Sequence, residues 1–562
     1  MGASAGIAAL ASLSRKAAAQ KPDNALEVDM LPDAERVAGV SFTPDERQQM
    51  VGAIEERLEA IRALRGVAKP NTLAPAQVFD PRLSGIAYDT GETNAVNVTP
   101  PEPGIPPASG DHIAFAPVAQ LSHWIRTKQL TCRELTDLYL ARIKAHDSKL
   151  NAWITLTPER ARAEADALDA EIEAGKVRGP LHGIPYGLKD LFDAEGAPVT
   201  WGAEPYKDQV AETDSAIVKR LHAAGAVLLG KTSCGALAYG DIWYGAVTRN
   251  PFDPREGSSG SSAGSASATA AGLCAFAIGT ETLGSLVSPS HRCGTTALRP
   301  TFGRVSRAGG MALCWSLDKV GPMVRHVEDI PLIMDALNGF DPADAASIPT
   351  GFSYPGREAG KGLTLGFAPA WADAANDAEL AAFEKAKALA GKVVEVKLPD
   401  LPQEPLFQQL LAEAAATFED LTLSDRDDMM KWQEDAAWPN SFRAVRFLTA
   451  IDLIQIDRLR RLWMQAINEM FDGIDIIIGP NFTSGLLTPT NFTGHPCLVM
   501  RAGFQETRPR SLFNAESEED IATALTPVAV SLWAPLFGET RLLAFGADLE
   551  RELEVAGKRP DL

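Results

Sequence analysis

The chain has 562 residues, more than one hydrophobic core usually serves, so several layers or a subdomain are expected. Its 45% hydrophobic and 22% charged residues read as a globular chain, and a net charge of -20 with no basic patch excludes nucleic acid as a natural partner. The six cysteines, Cys132, Cys234, Cys274, Cys293, Cys314 and Cys497, show neither CxxC pairs nor histidine ligand spacing, which leaves no readable zinc site or disulfide framework.

In chain order, residues 1–20 combine an apolar, Ala-rich run with Ala-Ala-Ala-Gln. This reads equally as a clipped export signal, which would make the protein periplasmic, or as a tail of a cytoplasmic protein, and it is too short for a stable membrane span. Residues 1–25 are therefore set apart as leader or tail. Thr43-Pro44-Asp45-Glu46 joins an N-cap, a first-turn proline and a capping-box glutamate. The spacing of Met50, Ile54, Leu58, Ile61 and Leu64 predicts a helix with one apolar stripe, ending at Gly66 and buried within the chain or, in a homodimer, on the partner protomer. A proline-rich stretch over 99–107 reads as a linker or extended wrap and closes an N-terminal extension over 26–110.

The main domain is expected over 111–562. A second capping box, Thr131 to Glu134, opens a helix that buries Leu135, Leu138, Leu140 and Ile143, and a strand follows at 151–154. Short apolar runs at 184–188, 226–229, 274–278, 363–366, 393–396 and 474–478 suit buried strands, and helical stretches alternate with them. That alternation predicts an α/β fold with a mixed central sheet covered by helices.

Three blocks between His182 and Arg299 carry the chemistry. They hold a lone lysine in Gly183-Ile184-Pro185-Tyr186-Gly187-Leu188-Lys189-Asp190, a Ser/Gly run containing Ser261-Ser262, and a turn Gly279-Thr280-Glu281-Thr282-Leu283-Gly284-Ser285. A serine hydroxyl needs a neighbour to take its proton. Apart from His182 at the edge and His291 after the turn, these blocks contain no histidine, whereas Lys189 among Ile184, Leu188 and Leu191 could lose its proton through burial. The alternative is a structural lysine paired with Asp190.

Other formulas met by the chain fare worse. Gly225 to Thr232 fits a P-loop, but its inner positions are bulky and apolar, so it reads as a strand ending in a turn. Gly260 to Gly264 fits a nucleophile elbow centred on Ser262, yet a proline-laced polar loop precedes it where a strand is required. Ser316 to Lys319 fits SxxK without the accompanying SDN or KTG.

In order and spacing the three blocks resemble those of the amidase signature family, related to fatty acid amide hydrolase, peptide amidase and the glutamine-hydrolysing component of glutamyl-tRNA(Gln) amidotransferase. The resemblance runs from about Ile113 to Leu553. It implies an amidase-signature α/β/α fold and hydrolysis of a small-molecule carboxylic amide, with neither metal nor organic cofactor. It also implies a triad of Lys189, Ser261 and Ser285, with Ser261 in a cis peptide, Ser285 as nucleophile, and an oxyanion hole of the backbone amides of Thr282, Leu283, Gly284 and Ser285. The alternatives are an inactive homologue or a glutamine-hydrolysing amidotransferase subunit. The chain departs from the family pattern at Glu281, Leu283 and Val287, the last replacing an arginine so that a buried salt-bridge partner is expected to be lost, and at Ala236, where relatives carry glutamate. The segment 401–470, with Trp432, Trp438 and Trp463, matches poorly and reads as aromatic packing between helices. His495 reads as a brace.

Overall fold

The computed structural model describes residues 26–91, 94–98, 104–512, 517 and 521–562. The export-signal expectation falls outside them. Eleven strands form one mixed sheet: β1 (Trp153–Leu156), β2 (Pro185–Lys189), β3 (Val227–Thr232), β4 (Phe276–Glu281), β5 (Thr296–Arg299), β6 (Lys319–Val324), β7 (Thr364–Phe367), β8 (Lys392–Glu395), β9 (Ile476–Pro480), β10 (Cys497–Thr507) and β11 (Ala524–Trp533). Their spatial order is β8-β7-β9-β11-β10-β5-β6-β4-β2-β3-β1. Strands β4, β2 and β3 are parallel, as are β8, β7 and β9, while the β9-β11-β10-β5-β6-β4 run between them is antiparallel.

Every residue of β2, β3, β5, β6 and β9 is buried; the apolar runs expected at 184–188, 226–229 and 474–478 fall on β2, β3 and β9, whereas β5 and β6, which carry Arg299 and Lys319, are not among the expected runs. The run at 393–396 departs from the expectation of a buried strand: β8 lies at the sheet edge with Val393 44% exposed. A short apolar run does not by itself distinguish an edge from a centre.

Both capping boxes form, at Thr43/Glu46 and at Thr131/Glu134. Within the chain the stripe of the helix Pro44–Arg65 is not covered: none of its residues is buried and Leu64 is 52% exposed, which corrects the expectation of burial within the chain. Past that helix the chain wraps over the domain. Asn71 bonds to Ala312, Phe79 meets Phe302 edge-on at 5.1 Å, and Ala95–Val96 pairs with Ser353–Tyr354.

In the segment 401–470 Trp463 and Trp438 pack helices. Trp463 is buried on the helix Ala450–Met470 and donates to the Pro402 carbonyl, and Trp438 stacks on Phe442 and donates to the Leu237 carbonyl. Trp432 lies against Tyr239 at 5.2 Å. Among the described residues no helix is long and apolar enough to cross a membrane.

Candidate active site

The parallel strands β4 and β2 end side by side; Lys189 ends β2, the turn leaving β4 carries Ser285, and the loop that leads into the helix Ala263–Ala270 brings Ser261 to them. Lys189 is the last residue of β2, fully buried. Its Nζ lies 2.8 Å from Ser261 Oγ, 3.0 Å from Ser262 Oγ and 2.8 Å from Thr280 Oγ1. These three partners are neutral hydroxyls, and the fourth, the Thr280 carbonyl at 3.5 Å, is neutral too. Burial pushes the Lys189 ammonium down to about 7, and the weaker pull of Cys234, Asp318 and Glu281 in the opposite direction does not restore it.

The alternative pairing of Lys189 with Asp190 is not what forms. Asp190 Oδ1 accepts from Lys231 at 2.8 Å, both side chains being fully buried, and Oδ2 accepts from Thr200 Oγ1 and N. Adjacent side chains on a strand point to opposite faces, so Lys189 and Asp190 are separated by the pleat itself. Lys231, the lysine of the P-loop formula, is therefore a structural residue within β3.

Ser261 is reached through a cis Gly260-Ser261 peptide bond. A Cβ on Gly260 would lie 1.8 Å from the Gly240 carbonyl oxygen, so only glycine permits this approach of two backbones. Ser262 begins the helix Ala263–Ala270 and is sealed: its Oγ donates to the Thr280 carbonyl at 3.0 Å and accepts from the Thr280 N–H at 3.1 Å. A hydroxyl so engaged does not project from an elbow.

Ser285, 7% exposed, sits in the turn between β4 and the helix Val287–Cys293. The Ser262 N–H donates to the Ser285 carbonyl at 3.2 Å, tying the two serine loops together. In the turn Gly284 takes a positive φ of 83°, and the backbone N–H groups of Leu283, Gly284 and Ser285 have no acceptor among the described residues. Thr282 fixes the start of the turn by donating its hydroxyl to Asp318 at 2.6 Å.

The expected loss of a buried salt bridge is corrected. Glu281 pairs with Arg299 at 2.8 Å, both fully buried, and its Oε2 accepts from the Leu286 and Val287 N–H groups. Burial alone would raise this carboxyl, but Arg299, Lys319 and Asn491 hold it at about 2. The cation thus comes from β5 rather than from position 287, a contact across the sheet that no local motif announces. Arg299 also donates to the carbonyl of His495, whose ring stacks on Phe471 and bonds Thr493 Oγ1 at 2.7 Å. His495 is a brace, as expected. His182 bonds to Arg178 and Leu168 and His291 to Asn481, so neither ring is engaged with the serine loops. Ser316 bonds Glu413 and Arg460, which takes it out of any SxxK pairing.

Sequence reasoning missed Thr280. It looks like an ordinary strand threonine, and only its register beside β2 places its hydroxyl on Lys189. A cavity of about 570 Å³ opens beside this cluster, lined by Thr280, Thr282, Asp318 and Lys319 among others. Among the described residues no group of His, Cys, Asp and Glu is arranged to hold a metal ion.

The fold and the family the chain matches are those of carbon–nitrogen hydrolases of the amidase class. The Amidase family model matches residues 134–543, and the chain belongs to that family. An amidase of Pseudomonas putida is 36% identical over 375 residues, 65% of this chain and 78% of that one. A glutamyl-tRNA(Gln) amidotransferase subunit of Methylobacillus flagellatus is 34% identical over 397 residues, 65% of this chain and 81% of that one. The structure of a peptide amidase from Stenotrophomonas maltophilia superposes with a TM-score of 0.68 at 27% identity, covering 79% of this chain and 98% of that one.

Proposed function

We propose that the protein hydrolyses a linear carboxylic amide to a carboxylate and ammonia or an amine through Lys189, Ser261 and Ser285. The observation that carries this reading is the buried Lys189 nitrogen 2.8 Å from Ser261 Oγ, with hydroxyl partners and no carboxylate to hold its proton. Neutral Lys189 takes the Ser261 proton, Ser261 takes that of Ser285, and Ser285 Oγ attacks the carbonyl carbon. The resulting oxyanion lies against the N–H groups of Thr282, Leu283, Gly284 and Ser285, where one such donor contributes about 3 kcal/mol in comparable sites. As the tetrahedral intermediate collapses, the proton returns through the relay to the leaving nitrogen and the C–N bond breaks. Water then attacks the Ser285 acyl ester by the reverse relay and frees the carboxylate.

The test is a panel of primary amides, anilides, peptide amides and esters, run beside a fluorophosphonate probe. Ser285→Ala is expected to abolish both turnover and labelling while leaving the fold intact; labelling that persists in the variant would contradict the assignment. The relatives' names raise one alternative, a glutaminase component of a tRNA-dependent amidotransferase. It predicts activity on glutamine only after partner proteins are added.

A further inference from the structure

The cavity beside the cluster is walled in part by residues that precede the region matched by the family. Thr72, Leu73 and Ala74 line it together with Thr280 and Thr282. They belong to a segment fastened on both sides. Before them, the Asn71 side chain accepts from the Ala312 N–H at 2.8 Å and donates to its carbonyl at 2.9 Å, in the manner of a strand rung, and Trp315 Nε1 donates to the Asn71 carbonyl at 3.1 Å. The turn itself is closed by the Leu73 N–H to the Pro70 carbonyl. After them, Phe79 lies beneath the Arg460 guanidinium at 3.5 Å.

The backbone at Leu73 is thus held, yet the residue remains 56% exposed on the cavity wall. Apolar surface of that kind gains when a ligand removes it from water. The neighbouring wall is also apolar, with Leu191, Met311 and Trp315. Its charged groups are largely committed: Arg307 to Asp344 at 2.9 Å and Asp318 to Thr282. Asp193 and Asp318 are lining carboxylates without an ion pair among the described residues, and Lys319 donates to the Thr282 and Leu317 carbonyls, so the wall disfavours an anionic ligand.

We propose that Leu73, on the N-terminal extension, is a specificity-determining residue: it forms a wall for the bulky apolar part of a neutral aryl or long-chain amide, so that the extension is a component of the substrate site. This rests on the amidase reading above. Two primary amides sharing ammonia as leaving group separate the possibilities, propionamide and 4-phenylbutyramide, assayed with wild type, Leu73→Ala and Leu73→Asp. For the arylalkyl amide, KM should rise about 3-fold in Leu73→Ala and roughly 10-fold or more in Leu73→Asp, with kcat little changed, as expected for lost contact in an apolar pocket. Kinetics on propionamide should stay within about twofold. Equal changes on both amides, or no change on the larger one, would overturn the role of the extension while leaving the amidase reading standing. Wild type that turns over neither amide and is not labelled at Ser285 would overturn both.

Discussion

Two fully buried lysines lie on neighbouring parallel strands, Lys189 at the end of β2 and Lys231 near the end of β3, with Lys189 in register with Thr232. Lys231 faces the Asp190 carboxylate at 2.8 Å; Lys189 faces hydroxyls of Ser261, Ser262 and Thr280. The strands are parallel neighbours and the depth and the residue type are the same, so the partner decides the chemistry. A carboxylate fixes an ammonium as a structural ion, whereas hydroxyls leave burial to drive the proton off and turn the amine into a base.

The comparison breaks most visibly through Lys189→Ala. Loss of a general base costs about 10²- to 10⁴-fold in rate, and kcat/KM on a primary amide should fall by that range with the melting temperature held or raised. Lys231→Met should do the reverse. It strands the Asp190 charge, and breaking a buried pair costs about 3–5 kcal/mol, so denaturant unfolding should shift strongly while the pH dependence of the remaining activity stays that of wild type. The smallest effect sharpens the contrast instead. Thr280→Val removes one acceptor from the Lys189 ammonium, further disfavouring the charged form, so the acid limb of the rate profile should move to lower pH, by on the order of one unit.

Much of this site was legible because its signals are local. Ser261 and Ser285 sit in runs of small residues, Lys189 ends a buried apolar run, and the order of the three blocks along the chain carried the family resemblance. Partners that meet across the sheet were not legible. Arg299 reaches Glu281 from β5, and Lys231 reaches Asp190 from β3. The expectation of a lost salt bridge failed for that reason, since it looked for the cation at position 287 in the same turn. Burial was the other blind spot. The apolar spacing over Pro44–Arg65 gave a correct helix with a correct cap, but whether a stripe is covered depends on what lies against it, and Leu64 stays open. The same holds for Val393 at the sheet edge, and for Leu73, whose place on the cavity depends on Ala312 far along the chain.

The central claim, that Lys189 works as a neutral base, is met most directly by a pH–rate profile of wild type beside Lys189→Arg on one amide. The ammonium form is inactive, so wild-type kcat/KM should be low in acid and rise with increasing pH through about 7, where burial places this lysine. Lys189→Arg keeps a cation but offers no base, because a guanidinium is not deprotonated in a protein; it should show no such limb and only residual activity. Near-normal activity of Lys189→Arg with the wild-type pH dependence would make Lys189 a structural cation and contradict the account.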